Sequence, residues 1–95
     1  MTAEFAWDPK KAKSNLERHG VSFEEALTVF ANPLARIFDD KDHPAEERRE
    51  IIIGHSNKHR LLVVCFAERG SAVRVFSARK ATRQERKDYE EKSTS

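Results

Sequence analysis

Residues 60–78 read RLLVVCFAERGSAVRVFSA, and the fold turns on them. From Leu61 to Ala67 the run is wholly apolar, which suits a strand buried on both faces in the middle of a sheet. Arg69, Gly70 and Ser71 supply a tight polar turn, and apolar and polar residues mix in the stretch that follows. Two extended runs joined so closely predict an antiparallel pair, Arg60–Glu68 against Ala72–Ala78. If the second strand stays extended to Arg79, period 2 puts Val73, Val75, Ser77 and Arg79 on one face. Arg74 and Phe76 then share the other.

Upstream, Glu50–His55 reads as another strand, closed by the polar turn SNKH, and Leu34–Phe38 as a further one before the charged turn DDKDHPAEERR. Two short helices precede the sheet. In the first, Asp8 is the N-cap, Pro9 takes the first helical position and Gly20 fits just past the end. Its apolar side is thin, with Ala12 and Leu16. In the second, Ser22 and Glu25 form a capping-box pattern, Val21 and Ala26 a hydrophobic staple, and Phe23, Ala26, Leu27 and Phe30 the buried stripe. Phe5–Trp7 is a short edge strand. Thr82 and Glu85 repeat the capping-box pattern and open a closing helix. The expected order is β-α-α-β-β-β-β-α, an α+β domain with helices packed on one face of an antiparallel sheet.

The chain of 95 residues is expected to form one domain spanning 1–95, with a loose tail at 92–95. Its 38% hydrophobic residues suffice for one modest core, while 36% charged residues make the surface largely ionic. The net charge of +2 says little about partners, but the C-terminal third carries dense Arg and Lys clusters. The N-terminus has no apolar leader core, and no segment nears the ~20 apolar residues of a membrane span, so a soluble cytoplasmic protein is expected. Cys65, inside an apolar run, reads as a buried structural thiol with no disulfide partner in the chain.

Chemistry points to the end of the last strand. Arg79, beside Lys80 and just before a helix N-terminus, suits an anion, because guanidinium clamps phosphate in bidentate fashion and first-turn N–H groups add donors. The plainer reading pairs Arg79 with Glu85. The closing helix mixes Arg83, Arg86, Lys87 and Tyr89 with acids and shows no apolar stripe, so it is expected to be weakly fixed until a partner or polyanion orders it. His55 and His59 stand across a turn, which is the wrong geometry for a metal pair. No cofactor fingerprint is present, so neither metal nor cofactor is expected. These features leave open cutting RNA, binding it, or docking a protein.

The stretches FAWDPKKAKSNLERHGVSFEEALTVFANPLA, ERREIIIGHS and LLVVCFAERGSAVRVFSARKATRQERKDYEE resemble the BrnT toxins of bacterial type II toxin–antitoxin systems, over Phe5 to Glu91. RHGVSFEEA and SARKATRQERKDYE carry the resemblance most specifically. It implies a RelE-like fold and a metal-independent endoribonuclease that arrests translation. It also implies a BrnA-type antitoxin with a ribbon-helix-helix part, and operator DNA bound only through that antitoxin. On this view Arg79 is the main phosphate clamp, Arg69 and Arg48 are further cationic candidates, and Lys80 gives support. Tyr89 is a candidate for base stacking or proton transfer. Arg74, Arg83 and Arg86 form an RNA-binding surface. Glu47, Glu68 and His19 remain open as the general base. The alternative is an inactive module of the same fold that binds an antitoxin or nucleic acid.

Overall fold

The computed structural model describes residues 4–40 and 48–94. The elements are β1 (Glu4–Ala6), α1 (Pro9–His19), α2 (Phe23–Val29), β2 (Arg36–Asp39), β3 (Glu50–His55), β4 (Leu61–Arg69), β5 (Ala72–Lys80) and α3 (Arg83–Thr94). Five strands form one sheet in the order β1-β5-β4-β3-β2, so the apolar β4 lies at its centre. β2 to β5 make the expected antiparallel meander, but β1 joins β5 in parallel, with Phe5 opposite Val73. The sheet is therefore mixed, not purely antiparallel. The chain leaves β1 straight into α1, and the free edge of β5 is where a strand so connected can pair.

The core lies on one face of the sheet. Val21, Phe23, Ala26 and Val29 pack against Ile52, Leu62, Val64, Phe66, Val73, Val75 and Ala78. Gly54 permits the closest approach, since a Cβ there would stand 2.8 Å from that of Ala35.

α1 is capped as expected: Lys10 N–H donates to Asp8 Oδ1 at 2.9 Å, and Gly20 closes the helix at φ 68°. Its anchor is not Leu16, which is half exposed, but Asn15, 6% exposed. The Asn15 amide donates to the carbonyls of Val21 (2.9 Å) and Ala78 (2.7 Å), and its oxygen accepts from Ala78 N–H at 3.1 Å. It thus satisfies the β5 edge where β1 no longer reaches.

The capping box of α2 forms only by half. Ser22 Oγ accepts from Glu25 N–H at 3.0 Å, but the Glu25 carboxylate turns to the β3–β4 turn. There it accepts from Ser56 Oγ at 2.7 Å and Arg60 Nε at 2.9 Å.

The alternation in β5 breaks at a bulge. Phe66 pairs with Val75 and Cys65 with Ser77, so Phe76 is an extra residue. Val73 and Val75 face the core before it, and Ala78 does so after it. Ser77 and Arg79 therefore turn to the face of Arg74 and Phe76, away from Val73 and Val75, contrary to the strict alternation.

α3 lies on that second face rather than beside α1 and α2. Tyr89 is 6% exposed; its hydroxyl donates to the Leu34 carbonyl at 2.8 Å, and its ring meets His55 edge-on at 5.7 Å. One aromatic side chain thus takes the place of the missing apolar stripe. The capping box here is complete, with Glu85 N–H donating to Thr82 Oγ1 (3.1 Å) and Thr82 N–H to Glu85 Oε1 (2.8 Å). At the far end Arg36 Nη2 donates to the Lys92 carbonyl at 2.6 Å, and the helix runs to Thr94, into the expected tail.

Candidate functional site

α3 covers only part of the second face. The remainder is a cleft of about 470 Å³ floored by Ile51, Val63, Cys65 and Ser77, with α1 along one wall. Its rim is rich in cations, with Lys11 and Arg18 from α1, Arg49 at the entry to β3 and Arg79 from β5; His19 stands among them, and Asp40 is the one acid in the lining among the described residues.

Phe76 enters the cleft from β5, and the bulge adds Ser77 and Arg79 to the same face. Cations gather round its ring, with the Arg49 guanidinium 3.9 Å, Lys11 Nζ 5.5 Å and the Arg74 guanidinium 5.9 Å from the ring centre. An aromatic plane among cations, open to solvent, is a surface on which bases stack and phosphates are neutralised.

Arg79 sits at the boundary between this cleft and α3. Its Nη1 and Nη2 donate to Glu85 Oε1 and Oε2 at 2.7 and 2.9 Å, and Nη1 also reaches the Lys80 carbonyl at 3.3 Å. The guanidinium holds the Glu85 carboxyl down at about 2, and Glu85 in turn raises the pKa of Arg79. The side chain remains 40% exposed, and among the described residues Nε–H and one Nη2 N–H make no hydrogen bond. The guanidinium is both anchored and available to an anion.

Cys65 is half-buried on the cleft floor rather than sealed in the core. Burial first, and then Asp40, whose Oδ2 lies 3.6 Å from Sγ, push its thiol up to about 11. At neutral pH it is a thiol and not a nucleophile.

The sequence candidates scatter. Arg79 and His19 line the cleft, and Arg74 stands beside its aromatic floor. Arg69 and Glu68 lie at the other end of the β4–β5 pair, where Arg69 is opposite Ala72, roughly 20 Å along the strand from Arg79. Arg48 is exposed and 3.5 Å from Asp39. Lys80, Arg83 and Arg86 are exposed outside the cleft lining. Tyr89 is buried with its hydroxyl engaged, so stacking on a base would require α3 to lift. Glu47 lies outside the described residues. Sequence reasoning missed Lys11, Arg18, Arg49 and Asp40 as cleft residues. The α1 pair had a signal, since Lys11 and Arg18 are seven apart and share a helix face with Ser14. Arg49 was one charge among many in a polar turn.

Residues 7–85 match the family described as “Ribonuclease toxin, BrnT, of type II toxin-antitoxin system”. The chain belongs to this BrnT family. Its fold is similar to the crystal structure of the Brucella abortus ribonuclease toxin BrnT, with a TM-score of 0.68 and 29% identity over 86% of this chain and 100% of that one. Among curated protein sequences none matches it. As a ribonuclease toxin of a type II system it has an antitoxin for a partner. No helix among the described residues is long and apolar enough to cross a membrane.

Proposed function

We propose that the toxin cuts RNA in this cleft without a metal ion, by attack of the substrate's own 2′-hydroxyl on the adjoining phosphate. The observation that carries the reading is the β5 bulge, which sets Arg79 on the same open face as Phe76, opposite Lys11, Arg18 and His19 of α1. The 2′-oxygen bonds to phosphorus, the bond to the 5′-oxygen breaks, and the products are a 2′,3′-cyclic phosphate and a 5′-hydroxyl. Negative charge builds on the phosphate oxygens in between. A guanidinium that cannot lose its proton, already oriented by Glu85, stabilises that charge without reorganising. His19 is the cleft side chain best suited to carry the proton from the 2′-hydroxyl toward the leaving oxygen. Lys11 and Arg18 hold neighbouring phosphates, and Arg48, Arg69, Lys80, Arg83 and Arg86 contribute a wider cationic surface.

Such cleavage would arrest translation, and a BrnA-type ribbon-helix-helix antitoxin would neutralise it and carry the pair to operator DNA. The alternative, an inactive module that binds antitoxin or nucleic acid, draws on the Arg79–Glu85 pairing, which partly neutralises the proposed clamp. One experiment separates the two. Purified toxin is incubated with RNA in excess chelator and the ends are mapped. Cyclic phosphate ends are expected, together with growth arrest when the chain is expressed alone. Loss of cleavage in chelator or 3′-hydroxyl ends would overturn the mechanism, and a folded chain that neither cuts RNA nor slows growth would favour the inactive module.

A further inference from the structure

We propose that Phe76 and the Arg49 guanidinium lying on it form a stacking subsite for one nucleobase of the RNA, beside the phosphate that Arg79 holds. The proposal rests on the RNA-cleaving reading of the cleft and adds to it a place where the enzyme grips a base.

Three observations converge. First, Phe76 follows the core-facing Val75 and points outward, and the bulge opposite Cys65 and Phe66 turns the residues after it to the same side. On an unbroken β5 the residue after it, Ser77, would face the core, and Arg79 with it. The distortion thus brings the phosphate clamp to the side where the aromatic plane already lies, and bulges next to functional sites commonly re-aim side chains in this way. Second, the ring is only partly buried, although a Phe of a small domain gains most by joining the core. Third, the Arg49 guanidinium lies 3.9 Å from the ring centre, the separation of a stacked cation.

Arg49 also acts on Cys65 at the cleft floor, lowering the pKa that burial raises. With neighbours on that side and the ring beneath, the guanidinium is held as a plane rather than a swinging charge. Bases stack on aromatic rings and on guanidinium planes alike. Lys11, 5.5 Å from the same ring, stands where the phosphate of the stacked nucleotide would need a cation. A cleft of about 470 Å³ falls within the ordinary range for small-ligand sites and has room for a nucleotide.

The test uses whole toxin and short RNAs in which each nucleotide near the cleavage site is replaced in turn by an abasic one. Cleavage is measured on these, and binding is measured on the same set carrying a 2′-deoxy sugar at the scissile position. For wild-type toxin, one abasic position is expected to weaken binding and raise KM by on the order of ten-fold. Phe76→Leu, which keeps an apolar side chain without the π face, should lose about as much on intact RNA and nothing more on the abasic RNA. Arg49→Lys, which keeps charge without the plane, should behave in the same way, and Phe76→Tyr should restore most of the loss. Wild-type toxin that cleaves RNA with a flat abasic profile overturns the subsite while leaving the cleavage reading intact. So does a Phe76→Leu loss that persists undiminished on the abasic substrate. If wild-type toxin neither binds nor cuts RNA, both readings fall together.

Discussion

Two Glu–Arg pairs, built from the same parts, hold this molecule on opposite faces of its sheet. Each glutamate stands three residues after a helix N-cap, Glu25 after Ser22 and Glu85 after Thr82, and each pairs with an arginine, Arg60 from the β3–β4 turn and Arg79 from β5. Their surroundings differ. Glu25 is 3% exposed and spends its carboxylate on Arg60 and Ser56, tying α2 to the β3–β4 turn. Arg60 Nη2 adds a bond to the Gly20 carbonyl at 3.1 Å, so the end of α1 is caught as well. Glu85 keeps its carboxylate on its own helix N-terminus and holds Arg79 from there. Arg79 lines the large cleft, whereas Glu85 lines a smaller hollow of about 140 Å³ under α3. One pair closes a structure, and the other leaves a cation on the lining of an open cleft.

The comparison breaks most visibly at Arg79. On the proposed mechanism Arg79→Ala removes the donor that meets the charge developing on phosphate, so RNA cleavage should fall about a hundred- to a thousand-fold. Stability should fall by only about 1 kcal/mol, since the pair is partly exposed. Arg79→Lys should recover little activity, because an ammonium cannot stay bidentate on Glu85 and serve an anion too. Full cleavage by a folded Arg79→Ala toxin would sink the assignment.

The converse holds at Glu25. Glu25→Gln takes the counter-charge from a partly exposed Arg60 and puts a neutral amide in the buried place of the carboxylate, at a cost of about 2 kcal/mol, or roughly 8–16 °C in Tm for a domain of this size. Cleavage per folded molecule, assayed well below the new midpoint, should stay near wild type. A variant that keeps its Tm but loses activity would reverse the roles assigned to the two pairs.

Much of this was legible before any coordinates. The meander, all three N-caps and the bounds of β3 follow from runs, turns and cap residues that act locally. The site was harder because its geometry belongs to pairs of elements. Nothing in β5 alone marks Phe76 as extra; the bulge is a property of β4 and β5 together. Its trace is the spacing of the core residues, since Val75 and Ala78 are three apart where alternation allows two. Nothing in the sequence sets Asn15 apart from the polar residues around it, and only the edge of β5 makes it an anchor. α3 looked unanchored because a search for a stripe overlooks a single Tyr that is both buried and hydrogen-bonded. The parallel β1 was equally invisible, as three residues carry no signal of direction.

The smallest effect tests the Glu85 pair by its charge alone. Hydrogen bonds from Arg79, then the backbone N–H of Thr82, lower the Glu85 carboxyl from 4.5 to about 2 against the opposing effect of burial. In the unfolded chain that carboxyl protonates near its ordinary value, so only the folded state stays ionised between about 4.5 and 2. A depressed folded pKa means stabilisation that is complete above 4.5 and fades as pH falls toward 2. The side chains are 40% and 30% exposed, so solvent screening limits the contribution to about 0.5–1 kcal/mol. Urea unfolding of wild type and Glu85→Gln should therefore show a constant gap from pH 7 to about 5. That gap should narrow steadily from pH 4.5 downward, because the protonated carboxyl then resembles the amide. High salt should narrow it at neutral pH too. Glu25, also lowered by its arginine, is intact in this variant, so its share of the acid response cancels from the difference. A gap that stays constant down to pH 3 would mean that Glu85 acts as a cap through hydrogen bonding alone. The orientation of Arg79 would then owe nothing to the charge of its partner.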